Sequence, residues 1–101
     1  MDDRPDDGEL LLDVADRLEA LAAVSTPGDW RATGLLATRP EVVAHRSDGS
    51  TEHVAEARAA SIRWITALSP AIAAPLAALL RGGSHPAAVE LARALDGRLP
   101  R

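Results

Sequence analysis

Two short segments, each built around a proline, constrain how this chain can fold. Thr26-Pro27-Gly28-Asp29 has the residues of a type II turn, because its proline fixes φ at the second position and its glycine allows the positive φ of the third. Ser69-Pro70 follows a helical pattern, and the serine can cap a new helix whose first residue is the proline. Together these segments indicate a small helix–sheet–helix domain with an N-terminal, a middle and a C-terminal region.

The N-terminal region predicts a helix over residues 8–24. Asp6 can cap this helix, with Glu9 three residues later to complete a capping box. Residues 1–5 are predicted to be a disordered acidic tail. Apolar residues recur in the helix at steps of three and four, as on one face of an amphipathic helix: Leu11, Val14, Ala15, Leu18, Leu21 and Ala22.

The middle region has the pattern of a small sheet. Short strands near 30–37 and 41–46, the first including Leu35-Leu36, predict an antiparallel hairpin, and Asp48-Gly49 is a turn signal. Residues 51–55 fit either a third strand or the start of the next helix, and the pattern does not decide between them. Because two strands alone are marginal in water, we expect this sheet to pack on helices.

The C-terminal region predicts three helices. The first begins near Glu52 or Glu56 and ends at Leu68. The second ends at Arg81 and is expected to kink at Pro75, and the third lies between about residues 84 and 97. On the first of these helices one face is expected to be buried: Val54, Ala57, Ser61, Trp64, Ile65 and Leu68.

The predicted fold class is therefore α+β, with an N-terminal helix, a short two- to three-stranded antiparallel sheet and three C-terminal helices. The chain of 101 residues fits one domain over residues 6–97 with a tail at 98–101. Its only aromatic residues, Trp30 and Trp64, are both expected in the core. We also expect a thin core, because the remaining apolar residues are aliphatic and rich in alanine.

Composition also limits the chemistry and the partners. Without cysteine the chain has no disulfide and no thiolate site. A net charge of −4 with no basic patch argues against nucleic acid. We identified no apolar run of membrane-span length, and the acidic N-terminus does not resemble a signal peptide. These observations predict a cytoplasmic protein without a membrane partner.

Three stretches resemble a known family: Thr26–Trp30, Asp48-Gly49 and Ala59–Ala71, which reads AASIRWITALSPA. Over roughly residues 9–80 the chain is similar to the Ead-like family of small phage and prophage proteins and to related actinobacterial proteins of unknown function. The resemblance implies the same order of elements and a phage or prophage origin. It implies no catalytic or binding residue, because the family has no established activity.

Few residues form a pattern with known chemistry. His45, His53 and Glu56 come nearest to a metal site if His53 and Glu56 share a helix face, but their spacing is nonspecific, so structural or solvent-facing histidines are favoured. We expect His85 to lie at a helix cap. Hydroxyl, carboxyl and imidazole groups occur together in one loop, but their pattern does not pair a nucleophile with a base that would orient it. These residues are Ser47, Asp48, Ser50, Thr51 and His53. We predict no enzymatic activity, no metal and no cofactor.

The favoured function is a non-enzymatic protein-interaction or accessory and regulatory module. Its expected surface combines the exposed hairpin edge with the C-terminal helices, whose leucines would meet a protein partner or a second copy in a homodimer: Leu76, Leu79, Leu80 and Leu91.

The alternative function is binding of a small anionic, nucleotide-like ligand, with Trp30 stacking on it and Arg39, Arg46 and Arg63 holding its charge. A third possibility is a minor subunit of an enzyme. A pocket lined by Trp30 and the three arginines would favour the ligand-binding function. A flat apolar patch would favour the interaction module.

Overall fold

The computed structural model describes residues 6–34, 39–83 and 85–101. Within them the chain has the predicted α+β class. Its elements are α1 (Asp7–Ala23), β1 (Asp29–Thr33), β2 (Glu41–His45), β3 (Thr51–Glu56), α2 (Ala59–Ala67), a 3-10 turn (Pro70–Ile72), α3 (Ala73–Gly82) and α4 (Pro86–Asp96). The predicted disordered tail, Leu35-Leu36 and residue 84 lie outside the described residues.

The chain forms two compact units. Helices α1, α3 and α4 make up the first, here called the helical unit, which joins the N-terminal 23 residues to residues 73–101. The second, here called the sheet unit, is the continuous segment 24–72. Each unit is held together by contacts among its own elements.

The helical unit is built on α1. The backbone N–H of Glu9 donates to Asp6 Oδ1 at 2.7 Å, so the predicted N-cap is confirmed. Apolar residues from all three helices fill the core: Leu10, Leu11, Val14, Ala15, Ala77, Leu80, Val89 and Ala92. Leu99 packs against this core from beyond α4.

Ion pairs also join these three helices. Arg81 on α3 donates to Asp16, at 2.8 Å, and to Glu19, both on α1. These hydrogen bonds raise the pKa of the Arg81 guanidinium, and the bond to Asp16 has the larger effect. Arg93 on α4 donates to Asp7 at 3.0 Å. The acidic side chains of α1 therefore serve as anchors for the helices packed beside it.

The expected kink at Pro75 is wrong, because the preceding turn places this proline near the start of a helix. Residues Pro70–Ile72 form the 3-10 turn, and α3 begins at Ala73, so Pro75 lies in its first turn. The N–H groups of the first turn have no partner inside a helix, and a proline there removes no hydrogen bond.

The sheet unit consists of three antiparallel strands in the order β1-β2-β3 with α2 against them. Residues 51–55, left undecided by the sequence, belong to a strand. Trp30 pairs with Ala44 and Ala32 pairs with Val42, so these four residues share one face of the sheet. Ala44 and Val42 are completely buried there, as is Ile62 of α2.

The turn before β1 agrees with its prediction. Gly28 has φ +115°, and a Cβ at this position would lie 2.9 Å from the carbonyl oxygen of His45, so this position requires glycine. The indole of Trp30 donates to the carbonyl oxygen of Thr26 at 2.9 Å and is half-buried. Trp30 therefore fixes the turn to the strand that follows it.

Candidate interaction surface

Helix α2 has one side that the sheet unit buries. Ile62 is completely buried, Ser69 is nearly so just after the helix, and Ile65 and Thr66 are half-buried. The Thr66 hydroxyl donates to the carbonyl oxygen of Ile62 at 3.1 Å, which gives this half-buried polar group a partner. The buried side of α2 is thus centred on Ile62.

The opposite side of α2 is also apolar, but it is exposed. Trp64 is 70% exposed, Leu68 is 60% exposed and Ile72, in the 3-10 turn, is 38% exposed. We call these three residues, which recur every four positions, the Trp64 patch. The prediction that Trp64 and Leu68 lie in the core is wrong. Because apolar residues occur on both sides of α2, the helical period alone does not identify the buried one.

The charge around this patch is of one sign. From Ala57 to Val89 the sequence contains no aspartate and no glutamate, although the whole chain has net charge −4. Arg58 and Arg63 are exposed, and neither forms an ion pair with the residues that the structure describes. Helix α2 therefore carries two guanidinium groups, Arg63 and its N-cap Arg58, that have no carboxylate partner among the described residues.

The sequence around the patch is also long and apolar. The helical stretch Ala59–Gly82, 24 residues, could cross a membrane by length and composition alone, and 22% of its apolar window is buried. The sequence analysis identified no such stretch. Arg63 and Arg81 interrupt it, but two charged residues are compatible with that composition.

The four predicted interface leucines do not form one surface. Leu80 is completely buried in the core of the helical unit, so its assignment to an exposed interface is wrong. Leu76 is half-buried, and Leu91 packs partly buried against the same core. Leu79 alone among the four is exposed, at 62%.

The four predicted anion-binding residues are also not assembled. An open cavity of about 590 Å³ lies at one end of the sheet and is lined by Pro27, Gly28, Asp29, Arg31, His45, Arg46 and Ser47. Arg46 is the only predicted member in this lining; Trp30, Arg39 and Arg63 are outside it. Trp30 is on the opposite sheet face from Asp29 and Arg31, because side chains alternate along a strand.

Acidic groups already bind the arginines of this cavity. Arg31 Nε donates to Asp29 Oδ2 at 2.8 Å, and Arg46 pairs with Glu52. An incoming anion would compete with both carboxylates. The sequence analysis did not identify Arg31 as a member of this group, and the strand alternation that places it beside Asp29 was the available signal.

The predicted metal candidates are on strands and make other contacts. His45 is on β2 and His53 on β3, which corrects the placement of His53 on a helix. His53 Nδ1 lies 2.6 Å from Glu41 Oε2, a hydrogen bond within the sheet. Among the described residues, no group of three histidines or acids is placed to hold a metal ion.

His85 and the serine-rich loop have structural roles. The Nδ1 atom of His85 accepts from the backbone N–H of Ala87 at 3.0 Å and caps α4, as predicted. In the loop, both the hydroxyl and the backbone N–H of Ser50 donate to Asp48 Oδ1, at 2.6 and 2.8 Å. These contacts order a turn and hold Asp48 as a hydrogen-bond acceptor.

Comparison with protein-family models, with curated proteins and with solved structures finds no match to this chain. The resemblance to the Ead-like family therefore stays a prediction. The functional argument rests on the residues of the chain itself.

Proposed function

We propose that this chain is a non-enzymatic interaction module, accessory or regulatory in role, that binds its partner through the Trp64 patch. The observation that carries the proposal is the 70% exposure of Trp64, followed in the chain by two further exposed aliphatic residues, Leu68 and Ile72. Isolated apolar residues are common on protein surfaces, but a contiguous patch is typical of a binding site.

The composition of the patch supports binding. Tryptophan is enriched among the residues that contribute most to interfaces, because its large ring excludes water over a wide area. Fully covering a leucine or isoleucine side chain contributes about 1.5–3 kcal/mol each, before the cost of association. Trp64 of α2, Leu68 at its C-cap and Ile72 in the 3-10 turn together supply enough apolar surface for a moderate affinity when a partner covers all three.

The alternative function has weaker support. An anionic ligand would enter the cavity at the end of the sheet, where Arg46 is present without the other three predicted residues. The two arginines that line this cavity, Arg31 and Arg46, already have carboxylate partners. A flat apolar patch was the feature expected to favour the interaction module, and the exposure of Trp64, Leu68 and Ile72 supports that module.

The test compares two leucines that receive the same substitution. Leu68→Glu places a carboxylate in the Trp64 patch, and Leu12→Glu places one at a 51% exposed leucine of the helical unit. We expect partners recovered from the native host with the wild-type chain to be lost with Leu68→Glu and kept with Leu12→Glu. Circular dichroism checks that both variants are folded. Recovery of the same partners with both variants would contradict the proposal.

A further inference from the structure

We infer that the partner of the Trp64 patch is the surface of a membrane rich in anionic lipids. This inference rests on the proposed function and names the partner for the same site. It replaces the expectation from the sequence that the chain has no membrane contact. Binding is peripheral, with α2 lying along the interface.

The side chains of the patch match the layers of a membrane interface. A tryptophan ring is amphipathic and is enriched at the level of the lipid headgroups. Leu68, at the C-cap of α2, and Ile72, in the 3-10 turn, are both exposed, and their aliphatic side chains suit the boundary of the acyl chains. A helix with this composition binds in the plane of the interface.

The charges favour anionic lipids. Arg63 of α2 and its N-cap Arg58 are exposed without a carboxylate partner among the described residues, and the nearest acids along the sequence are Glu56 and Glu90. Basic residues at this position are attracted to the negative surface potential of anionic membranes.

A lipid partner explains one observation that an acidic protein partner does not. A protein interface needs only a small cluster of apolar anchors. Here the whole stretch Ala59–Gly82 has the apolarity of a membrane segment, and 22% of its window is buried. A buried core helix has such a composition for another reason, because the protein itself covers it, and this stretch is mostly uncovered.

The buried residues of the same stretch favour surface binding over a membrane-spanning helix. Ile62 is completely buried in the sheet unit, and Leu80 is completely buried in the helical unit. Crossing a bilayer would require both residues to leave their cores. Binding to the membrane surface requires no such change, because the side of α2 that would contact the lipid is already exposed.

The first experiment is flotation of the full chain with large unilamellar vesicles, either of phosphatidylcholine alone or of equal parts phosphatidylcholine and phosphatidylglycerol. We expect binding to the anionic vesicles to be about tenfold stronger than to the neutral ones, and to fall at high salt. Leu68→Glu should lower the partition coefficient by about tenfold or more, and Leu12→Glu by less than about twofold. Alkaline carbonate should release the bound chain.

The second measurement is the fluorescence emission of the two tryptophans. Because Trp64 is 70% exposed, its emission should move to shorter wavelength on anionic vesicles and be quenched by brominated lipids. Trp64→Phe should remove that response, since the indole of Trp30 stays bonded to Thr26 within the sheet unit.

Three outcomes would overturn the inference: no wild-type binding to anionic vesicles, an equal loss with both glutamate variants, or retention after carbonate, which would indicate a spanning helix. If vesicles do not bind but a soluble protein is recovered with the wild type and lost with Leu68→Glu, the lipid inference fails and the proposed function holds. If Leu68→Glu keeps both the binding to anionic vesicles and every cellular partner, the proposed function itself fails.

Discussion

At the scale of single residues, Arg17 joins two helices of the helical unit. Its side chain is 11% exposed, and Nη1 donates to Asp13 Oδ2 at 3.1 Å and to Asp96 Oδ1 at 2.7 Å. Nη2 donates to the carbonyl oxygen of Asp96 at 2.9 Å. The planar fork of the guanidinium therefore binds a side chain and a backbone group at the end of α4 at the same time.

We predict that Arg17→Lys lowers the free energy of unfolding by about 1–3 kcal/mol, because one ammonium group does not replace the two bonds to Asp96. Urea denaturation measures the loss. The matched control is Arg93→Lys, whose exposed pair with Asp7 should contribute less than about 1 kcal/mol. Equal losses in the two variants would show that Arg17 acts only as a surface charge.

A second pair of variants tests which side of α2 supports the fold. We expect Trp64→Ala to change the free energy of unfolding by less than about 0.5 kcal/mol, because the ring is 70% exposed. Ile62→Ala should cost about 2–5 kcal/mol, because this side chain is completely buried and its loss leaves a cavity. Thermal denaturation of both variants decides the point, and a large loss on Trp64→Ala would place its ring in the core.

At the scale of elements, the strength of local signals decided what the sequence could predict. The first helix was predicted within one residue of α1, because its cap and its amphipathic period agree. The antiparallel sheet followed from turn signals. The prediction of which face of α2 is buried was wrong. The predicted helix began as early as Glu52, whereas β3 extends to Glu56. Residues of the strand and of both sides of α2 were thus combined into one false stripe.

The candidate surface was missed for the same reason. Periodicity reports where apolar residues recur, but it does not say which of two apolar sides meets the sheet. The usable signal was the absence of acidic residues from Ala57 to Val89, which sets this stretch apart from the rest of the chain. For the leucines of α3 and α4, only the packing distinguishes buried Leu80 from exposed Leu79.

The turn between β2 and β3 gives a prediction about pH. Hydrogen bonds from the Ser50 hydroxyl, and then from its backbone N–H, hold the pKa of Asp48 below its ordinary value of 3.8. The charged carboxylate is thus favoured in the folded state, so its contribution is complete above the ordinary pKa and is lost as the pH falls through the lowered one. We expect an NMR titration to show the low pKa of Asp48.

The control for this titration uses the two serines of the loop. Ser50→Ala should raise the pKa of Asp48 toward its ordinary value, while Ser47→Ala, which removes a hydroxyl with no bond to Asp48 in the described structure, should leave it in place. A pKa that is unchanged in both variants would mean that the Ser50 hydroxyl does not bind Asp48 in solution.

At the scale of the whole molecule, the helical unit depends on contacts between the two ends of the chain. Helix α1 packs against α3 and α4, which follow it by about half the chain or more. Val89 and Ala92 of α4 fill the same core as Val14. Neither end can bury its apolar face without the other.

We therefore predict that ending the chain after Gly83 removes more helix than α4 itself contains. Helix α4 has 11 residues. Without it, the core loses two buried residues, and Arg17 loses both bonds to Asp96. Far-UV circular dichroism should show a loss of helical signal well beyond that of α4, with easier thermal unfolding. A loss equal to α4 alone would mean that α1 and α3 form a stable pair.

The division of the helical unit between the two ends of the chain has a consequence during synthesis. Residues 24–72 can fold as soon as they leave the ribosome, because all strands of the sheet and α2 lie within that segment. Helix α1 is synthesised before α3 and α4, so Leu10, Leu11 and Val14 stay uncovered until those helices are complete. During that interval the nascent chain exposes the apolar face of α1, which makes α1 the segment on which a chaperone would act.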